Sequence, residues 1–337
     1  NCFSISDFSI TGADRVRQSA SIPLVNSVPP PVLDGKLDDA FWRECPGFTG
    51  FTTYHTGMLA PEQPLFRVGY TDRGLYLAAR VPMPKNVAPN AVIAKHDGAI
   101  YDEDAIEFRF MPGDDRIYSF IGSVAGTRFD CLNHAGTIGD DMTYNPDWQL
   151  ATQNNGSDWT AEAFVPWSAL ELSAMPKAGT QWQGNLFVDR AGAIAQAMSQ
   201  TPSLSGFNDP DGFARWVFTG SGHALGVESL AGCKEAAPAL AIRKTGGIAP
   251  VVTLKGELRD AGGAVIAPYE FKLNDAVDTV YAPGPLNPGN YSFRISGVDA
   301  DGLELFDQEF YFASDLKAAV ALENYPSAGY ADADETV

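Results

Sequence analysis

The apolar residues of this chain fall in short runs that alternate with polar ones, and Gly, Pro, Asn and Asp clusters stop each run. Such runs fit strands of five to ten residues, and no stretch holds a 3.6-residue period long enough for an amphipathic helix. The 33 glycines and 23 prolines are scattered between the runs rather than massed in a repeat, which is the punctuation of an all-β chain. A length of 337 residues exceeds one ordinary sandwich. The fold class expected is therefore all-β, with two antiparallel β-sandwich domains in tandem.

Charge narrows the partners. With 23 basic and 42 acidic side chains the formal charge is −19, which opposes binding to phosphate backbones and to anionic lipid. No nucleic acid and no membrane insertion are expected, since no run approaches 18 consecutive apolar residues. Cys2, Cys45, Cys131 and Cys233 are far apart and form no CxxC pair, so neither a zinc site nor a redox dithiol is indicated. Four cysteines allow three pairings, or buried free thiols, and spacing does not choose. The chain opens on Asn1 and is read as a piece of a longer secreted or cell-surface protein, covalently linked to further domains.

Four segments follow from the pattern. Residues 1–27 lack a clear period and read as a lead-in. Residues 28–222 open with Val28-Pro29-Pro30-Pro31, a stiff spacer, then a short helix at Ala40-Phe41-Trp42 that Asp38 can cap. A hairpin turns at Thr71-Asp72-Arg73-Gly74. Further strands are expected at Ala105–Met111, Ile117–Val124, Trp159–Val165 and Leu186–Arg190. Gly220-Ser221-Gly222 reads as a break between separable units. A second sandwich occupies residues 226–313, with strands at Val251–Arg259, Val265–Leu273, Tyr291–Ile295 and Leu303–Phe312. Residues 314–337 read as a tail or linker to a missing domain.

Four landmarks then stand in order: LDGKLDDAFW (33–42), YTDRGLYLAARV (70–81), YDEDAIEF (101–108), and DWTAEAFVPWSAL (158–170) with FNDPDGFARWVF (207–218). Together they resemble the family 9 carbohydrate-binding modules, β-sandwiches appended to secreted polysaccharide-degrading enzymes. The second sandwich resembles an immunoglobulin-like or fibronectin-like spacer. The first resemblance implies an aromatic clamp around a terminal sugar, formed here by Tyr101 and Phe207, with Glu107 bonding the sugar hydroxyls. It implies structural calcium as well. The family clamp normally uses tryptophans, and its further arginine and asparagine fall here on Ser119 and Leu204.

Elementary patterning supports part of that picture. In Ala105–Phe110, Ile106, Phe108 and Phe110 share one face, which leaves Glu107 and Arg109 side by side on the other. A carboxylate beside a guanidinium suits vicinal hydroxyls, and an aromatic ring suits the apolar face of a pyranose. Acidic loops could hold Ca²⁺, with Asp102, Asp104, Asp209 and Asp211 as its candidate ligands. Trp42, Trp159, Trp167 and Trp216 sit in core-facing alternation, whereas Trp148 and Trp182 lie in loop-like surroundings more open to a ligand. His55, His96, His134 and His223 are isolated, without HxxxH or HExxH spacing. No GxSxG, Walker or dinucleotide motif occurs, and Asp104 and Glu107 point to opposite faces of an extended segment. The expected function is a non-catalytic carbohydrate-binding region that takes the end of a polysaccharide or oligosaccharide. The alternative is a structural or protein-interaction sandwich pair with a decayed sugar site.

Overall fold

The computed structural model describes residues 18–54, 57–135, 139–191, 196–203, 206–231, 239–247, 251–281, 286–298 and 302–314. Cys2, His55, Leu204, Cys233 and the tail from residue 315 lie outside them. In chain order the elements are β1 (Ser19–Pro23), α1 (Ala40–Arg43), β2 (Gly47–Phe48), β3 (Thr52–Thr53), β4 (Leu65–Tyr70) and β5 (Gly74–Pro82). There follow β6 (Ala105–Met111), β7 (Arg116–Ser123), β8 (Arg128–His134), β9 (Gln149–Asn154), β10 (Asp158–Pro166), β11 (Gln181–Arg190), β12 (Gln196–Ser199) and β13 (Ala214–Gly220). The remainder are β14 (Ala224–Ala231), β15 (Ala239–Thr245), β16 (Val252–Asp260), β17 (Val265–Leu273), β18 (Val277–Tyr281), β19 (Gly289–Val298) and β20 (Glu304–Ser314).

Two sandwiches result. In the first, the sheet β2-β4-β5-β10-β9 faces the row β1-β13-β11-β6-β7-β8. Alternation explains the filling between them. Phe66, Val68, Leu77, Trp159 and Ala161 come from one sheet, and Ile106, Phe108, Phe110, Phe120, Val188 and Trp216 from the other, all in one buried cluster. In the second, β17-β16-β19-β20 faces β14-β15-β18 around Leu225, Ile242, Leu254, Val280, Phe293, Ile295 and Phe310.

The lead-in segment holds more structure than its sequence suggests. Ser19 to Pro23 are all buried. β1 runs parallel to β13, with Ala20 opposite Trp216, and antiparallel to β20 through Ser19 and Asp307. One hydrogen-bonded sheet therefore runs from the first sandwich into the second, because a strand buried on both sides has all its backbone groups to satisfy. Ser21 Oγ accepts from Leu225 N at 2.7 Å and donates to Leu225 O at 3.2 Å, adding a tie to β14.

At the Gly220-Ser221-Gly222 break, Gly220 ends β13 and only Ser221, Gly222 and His223 separate it from β14. Beyond it β14 packs directly on β2. A Cβ on Gly226 would come within 2.1 Å of Gly47 O, so only glycine permits that approach. Glu228 of β14 receives Arg67 of β4 at 2.5 Å, Arg243 of β15 at 2.7 Å and Gly47 N at 3.0 Å.

Local details differ from expectation in three places. Asp39, not Asp38, occupies the cap position of α1, and its carboxylate accepts from Val32 N at 3.1 Å. Trp148 and Trp182 are buried at 0% and 4% exposure, so neither is open to a ligand. Trp148 is held inside because its Nε1 donates to the buried Asp130 Oδ1 at 2.7 Å. Trp182 packs between Trp167 and Phe218. The other four tryptophans are buried, as the alternation requires, and Cys45 and Cys131 are buried free thiols.

Candidate functional site

The site grows from β6. Its Ile106, Phe108 and Phe110 enter the main core, so Glu107 and Arg109 stand together on the outer face. On one side β7 places Ile121 opposite Glu107 and Ser119 opposite Arg109, and β8 places Cys131 opposite Ser119. On the other side β11 places Phe187 opposite Glu107 and Asp189 opposite Ala105. The floor is thus a patch of sheet carrying two carboxyl groups, a guanidinium and an aromatic ring.

Two loops raise walls on this floor. A 3-10 turn at Ile100–Asp102 lifts Tyr101, which is 45% exposed and meets Phe129 edge-on at 5.7 Å. A second 3-10 turn, Pro210–Gly212, is capped by Asp209 accepting from Asp211 N, and Phe207 and Asn208 lead into it. Phe207 is half-buried, stacked on Phe187 at 4.0 Å and edge-on to Tyr54 at 5.4 Å. Tyr101, Glu107, Arg109 and Phe207 all line one cavity of about 370 Å³, together with Tyr54, Phe129, Cys131, Asp140, Asp189 and Asn208. That size suits a small ligand.

The polar contacts inside the cavity centre on Arg109. Arg109 Nε and Nη2 donate to Glu107 Oε2 at 2.9 and 2.6 Å, and Nη1 donates to Asn208 Oδ1. Asn133 Nδ2 donates to the same Asn208 oxygen at 3.1 Å. The guanidinium also lies over the rings of Phe187 and Phe207, at 5.7 and 5.9 Å. Asp189 differs, because its Oδ2 is buried and has no donor among the described residues. Burial, then the adjacent Glu107 carboxylate, push the Asp189 carboxyl well above the usual range, against the weaker pull of Arg109. Burial also pushes the Cys131 thiol up to about 12, which leaves it an inert part of the wall.

Three of these residues were not singled out from sequence. Asp189 alternates with Leu186 and Val188 exactly as Glu107 alternates with its apolar neighbours, so the same period could have found it. Asn208 adjoins Phe207 and supplies an amide although Leu204 lies outside the described residues. Tyr54 carries no such signal. Arg109 supplies a guanidinium one strand away from Ser119, its register partner.

The four candidate calcium ligands do not form a common site. Asp104 accepts from Asn90 N at 2.5 Å and from Ala191 N at 3.2 Å, one N–H on each oxygen. Asp209 caps its own turn, while Asp102 and Asp211 are exposed. None of the four belongs to a group of three whose ligand atoms lie together among the described residues. Among the described residues, His96, Asp97 and Asp130 form a group of three with ligand atoms mutually within 4.8 Å. There His96 Nδ1 faces Asp97 Oδ2 at 3.0 Å and Nε2 faces Asp130 Oδ1 at 3.3 Å. Ring nitrogens that diverge toward two carboxylates bridge them rather than converge on one ion.

No family model and no curated protein matches the chain. Among solved structures, a candidate carbohydrate-binding protein from Bacteroides uniformis is similar to it. The TM-score is 0.51 at 18% identity, with 60% of this chain and 100% of that chain covered. A family 9 carbohydrate-binding module from Caldicellulosiruptor kristjanssonii in complex with cellotriose gives a TM-score of 0.44 at 15% identity, over 60% of this chain and 94% of that one. The same kind of module from that organism, in complex with glucose, gives 0.43 at 18% identity, over 59% and 96%. The first of these likenesses shows a shared β-sandwich fold.

Proposed function

We propose that this chain is a non-catalytic carbohydrate-binding region, and that the cavity between Tyr101 and Phe207 takes the end of a glycan. One observation carries the reading. Residues from five strands and the loops between them, from Tyr54 to Asn208, line a single cavity with polar groups on its floor and aromatic rings on its walls. A pyranose has the matching chemistry, with hydroxyls around its rim and apolar C–H faces. The fold shared with a candidate carbohydrate-binding protein supports the same direction, as does the order of the four sequence landmarks.

In this reading the second sandwich is an immunoglobulin-like spacer, and the pair works outside the cell beside a polysaccharide-degrading enzyme. Two aromatic contacts and a few hydrogen bonds supply millimolar to micromolar affinity, about −4 to −8 kcal/mol. The test is a glycan array probed with the whole chain, followed by titration calorimetry on the sugars retained. Retention of at least one oligosaccharide that is lost in Tyr101→Ala supports the proposal. A blank array at millimolar sugar would leave a structural sandwich pair instead.

A further inference from the structure

The hairpin that brings Tyr54 to the cavity is anchored at its base to the other sandwich. Tyr54 lines the cavity, half-buried, and meets Phe207 edge-on at 5.4 Å. It directly follows β3, and two backbone bonds close the hairpin, Thr53 N to Met58 O at 2.8 Å and Gly57 N to Thr53 O at 3.0 Å. Thr52 bridges to Leu59 below them. Gln63 ties the base together, accepting from Gly50 N and Phe51 N and donating to Phe51 O and Ala60 O. At the cavity end Tyr54 N donates to Ala197 O at 2.9 Å, and Ala197 stands opposite Asp189. At the other end Leu59 N donates to Tyr311 O of β20 at 3.3 Å, and the Leu59 side chain packs against the second core. Gly50, with a φ of +94°, lies so close to Phe310 that a Cβ would come within 2.4 Å of the ring.

From this geometry we infer that β20 of the second sandwich, gripping the hairpin at Gly50 and Leu59, positions Tyr54 as a sugar-contacting wall beside Phe207. The inference rests on the sugar-binding reading and gives the second sandwich a part in it beyond spacing. A ring helps to hold a pyranose only at van der Waals distance, and a gap of about 0.5–1 Å forfeits roughly a quarter to a half of each dispersion contact. The hairpin is short and bonded across its width, so a shift at Leu59 carries to Tyr54 instead of being absorbed on the way. Leu59 is then a positioning residue that does not itself line the cavity.

Titration calorimetry on the whole chain tests this, with cellotriose and the oligosaccharide best retained on the array as probes. Tyr54→Ala should lower affinity about threefold or more. Leu59→Ala should lower it by a similar factor, and the volume-conserving Leu59→Met should restore it. In the double variant the two losses should not add, because Leu59 acts through Tyr54. Leu303→Ala is the control. Leu303 is also half-buried against the second core, but it lies eight residues before Tyr311, about 25 Å away along the strand. That variant should melt at a lower temperature and keep its affinity. Unchanged affinity in Tyr54→Ala or in Leu59→Ala, while Tyr101→Ala still weakens binding, would overturn the inference and leave the sugar reading standing. So would fully additive losses, or an equal loss in Leu303→Ala. If neither probe binds the wild-type chain and the array is blank, the sugar reading falls and this inference with it.

Discussion

Trp42 Nε1 donates to Glu162 Oε1 at 2.7 Å, and this bond joins LDGKLDDAFW to the DWTAEAFVPWSAL segment of β10. Glu162 Oε2 takes two further donors, Asp34 N at 3.0 Å and Gly35 N at 2.9 Å. One fully buried carboxylate on β10 thereby holds down the whole LDGKLDDAFW segment. Gly35 belongs there because its φ is +83° and a Cβ would lie 2.8 Å from the Thr152 backbone. The acidic residue in DWTAEAFVPW is therefore a structural anchor.

Glu162→Gln should destabilise the protein by about 1–3 kcal/mol, because an amide cannot accept from three donors on both of its ends. Urea denaturation at neutral pH measures this. An unchanged midpoint would mean that the segment is held by Phe41 and Trp42 packing alone.

Tyr101→Ala is the clean probe of sugar binding, since its ring is exposed and touches Phe129 at one edge. Affinity should fall several-fold, about 0.5–1.5 kcal/mol, with little change in melting temperature. Phe207→Ala should lower both, because the ring stacks on Phe187 and roofs Arg109. Calorimetry and a melting curve on each variant separate the two cases.

Asp189 gives a pH signature in stability. Its folded pKa is raised by burial and by Glu107, so its contribution to stability is fully present below the unfolded value. It is lost as pH rises through the folded value. Asp189→Asn cannot titrate, so the melting temperature of the variant relative to wild type should climb from acidic to neutral pH. A difference that stays flat or falls would place the proton elsewhere in the cavity.

Glu228→Ala should leave Arg67 and Arg243 facing each other without their shared carboxylate, along with the bare Gly47 N–H. With all three side chains partly screened, a loss of about 2 kcal/mol is expected. Denaturation in low and high salt should show the larger loss at low salt.

Addition of a calcium chelator should move the melting temperature by less than about 1 °C, because Asp102, Asp104, Asp209 and Asp211 are not gathered into one group of ligand atoms among the described residues. A fall of several degrees that added Ca²⁺ reverses would show that an ion is held by other oxygens.

How much of this was legible depends on how local each signal is. Glu107 and Arg109 could be placed on one face from the alternation of six consecutive residues, and β6 has the expected bounds. Asp189 was equally legible and needed only the same period applied to β11. The burial of Trp148 was not, because this loop residue depends on a carboxylate 18 residues earlier, in β8. β1 was hidden for a related reason. Its five residues are buried on both faces, so SASIP shows no alternation, and its partners lie near residues 215 and 307.

That pairing also sets an order of events in folding. Ser19 finds its neighbours at Arg215 on one side and Asp307 on the other, so β1, first in sequence among the described strands, is locked only by strands far later in the chain. Its ladder toward β20 waits until β20 has been synthesised, and closing contacts of such sequence separation is slow. Until then the neighbouring edges stay open to other chains. Refolding of the whole protein should accordingly show a slow phase that reports on β1, sensitive to protein concentration through competing association.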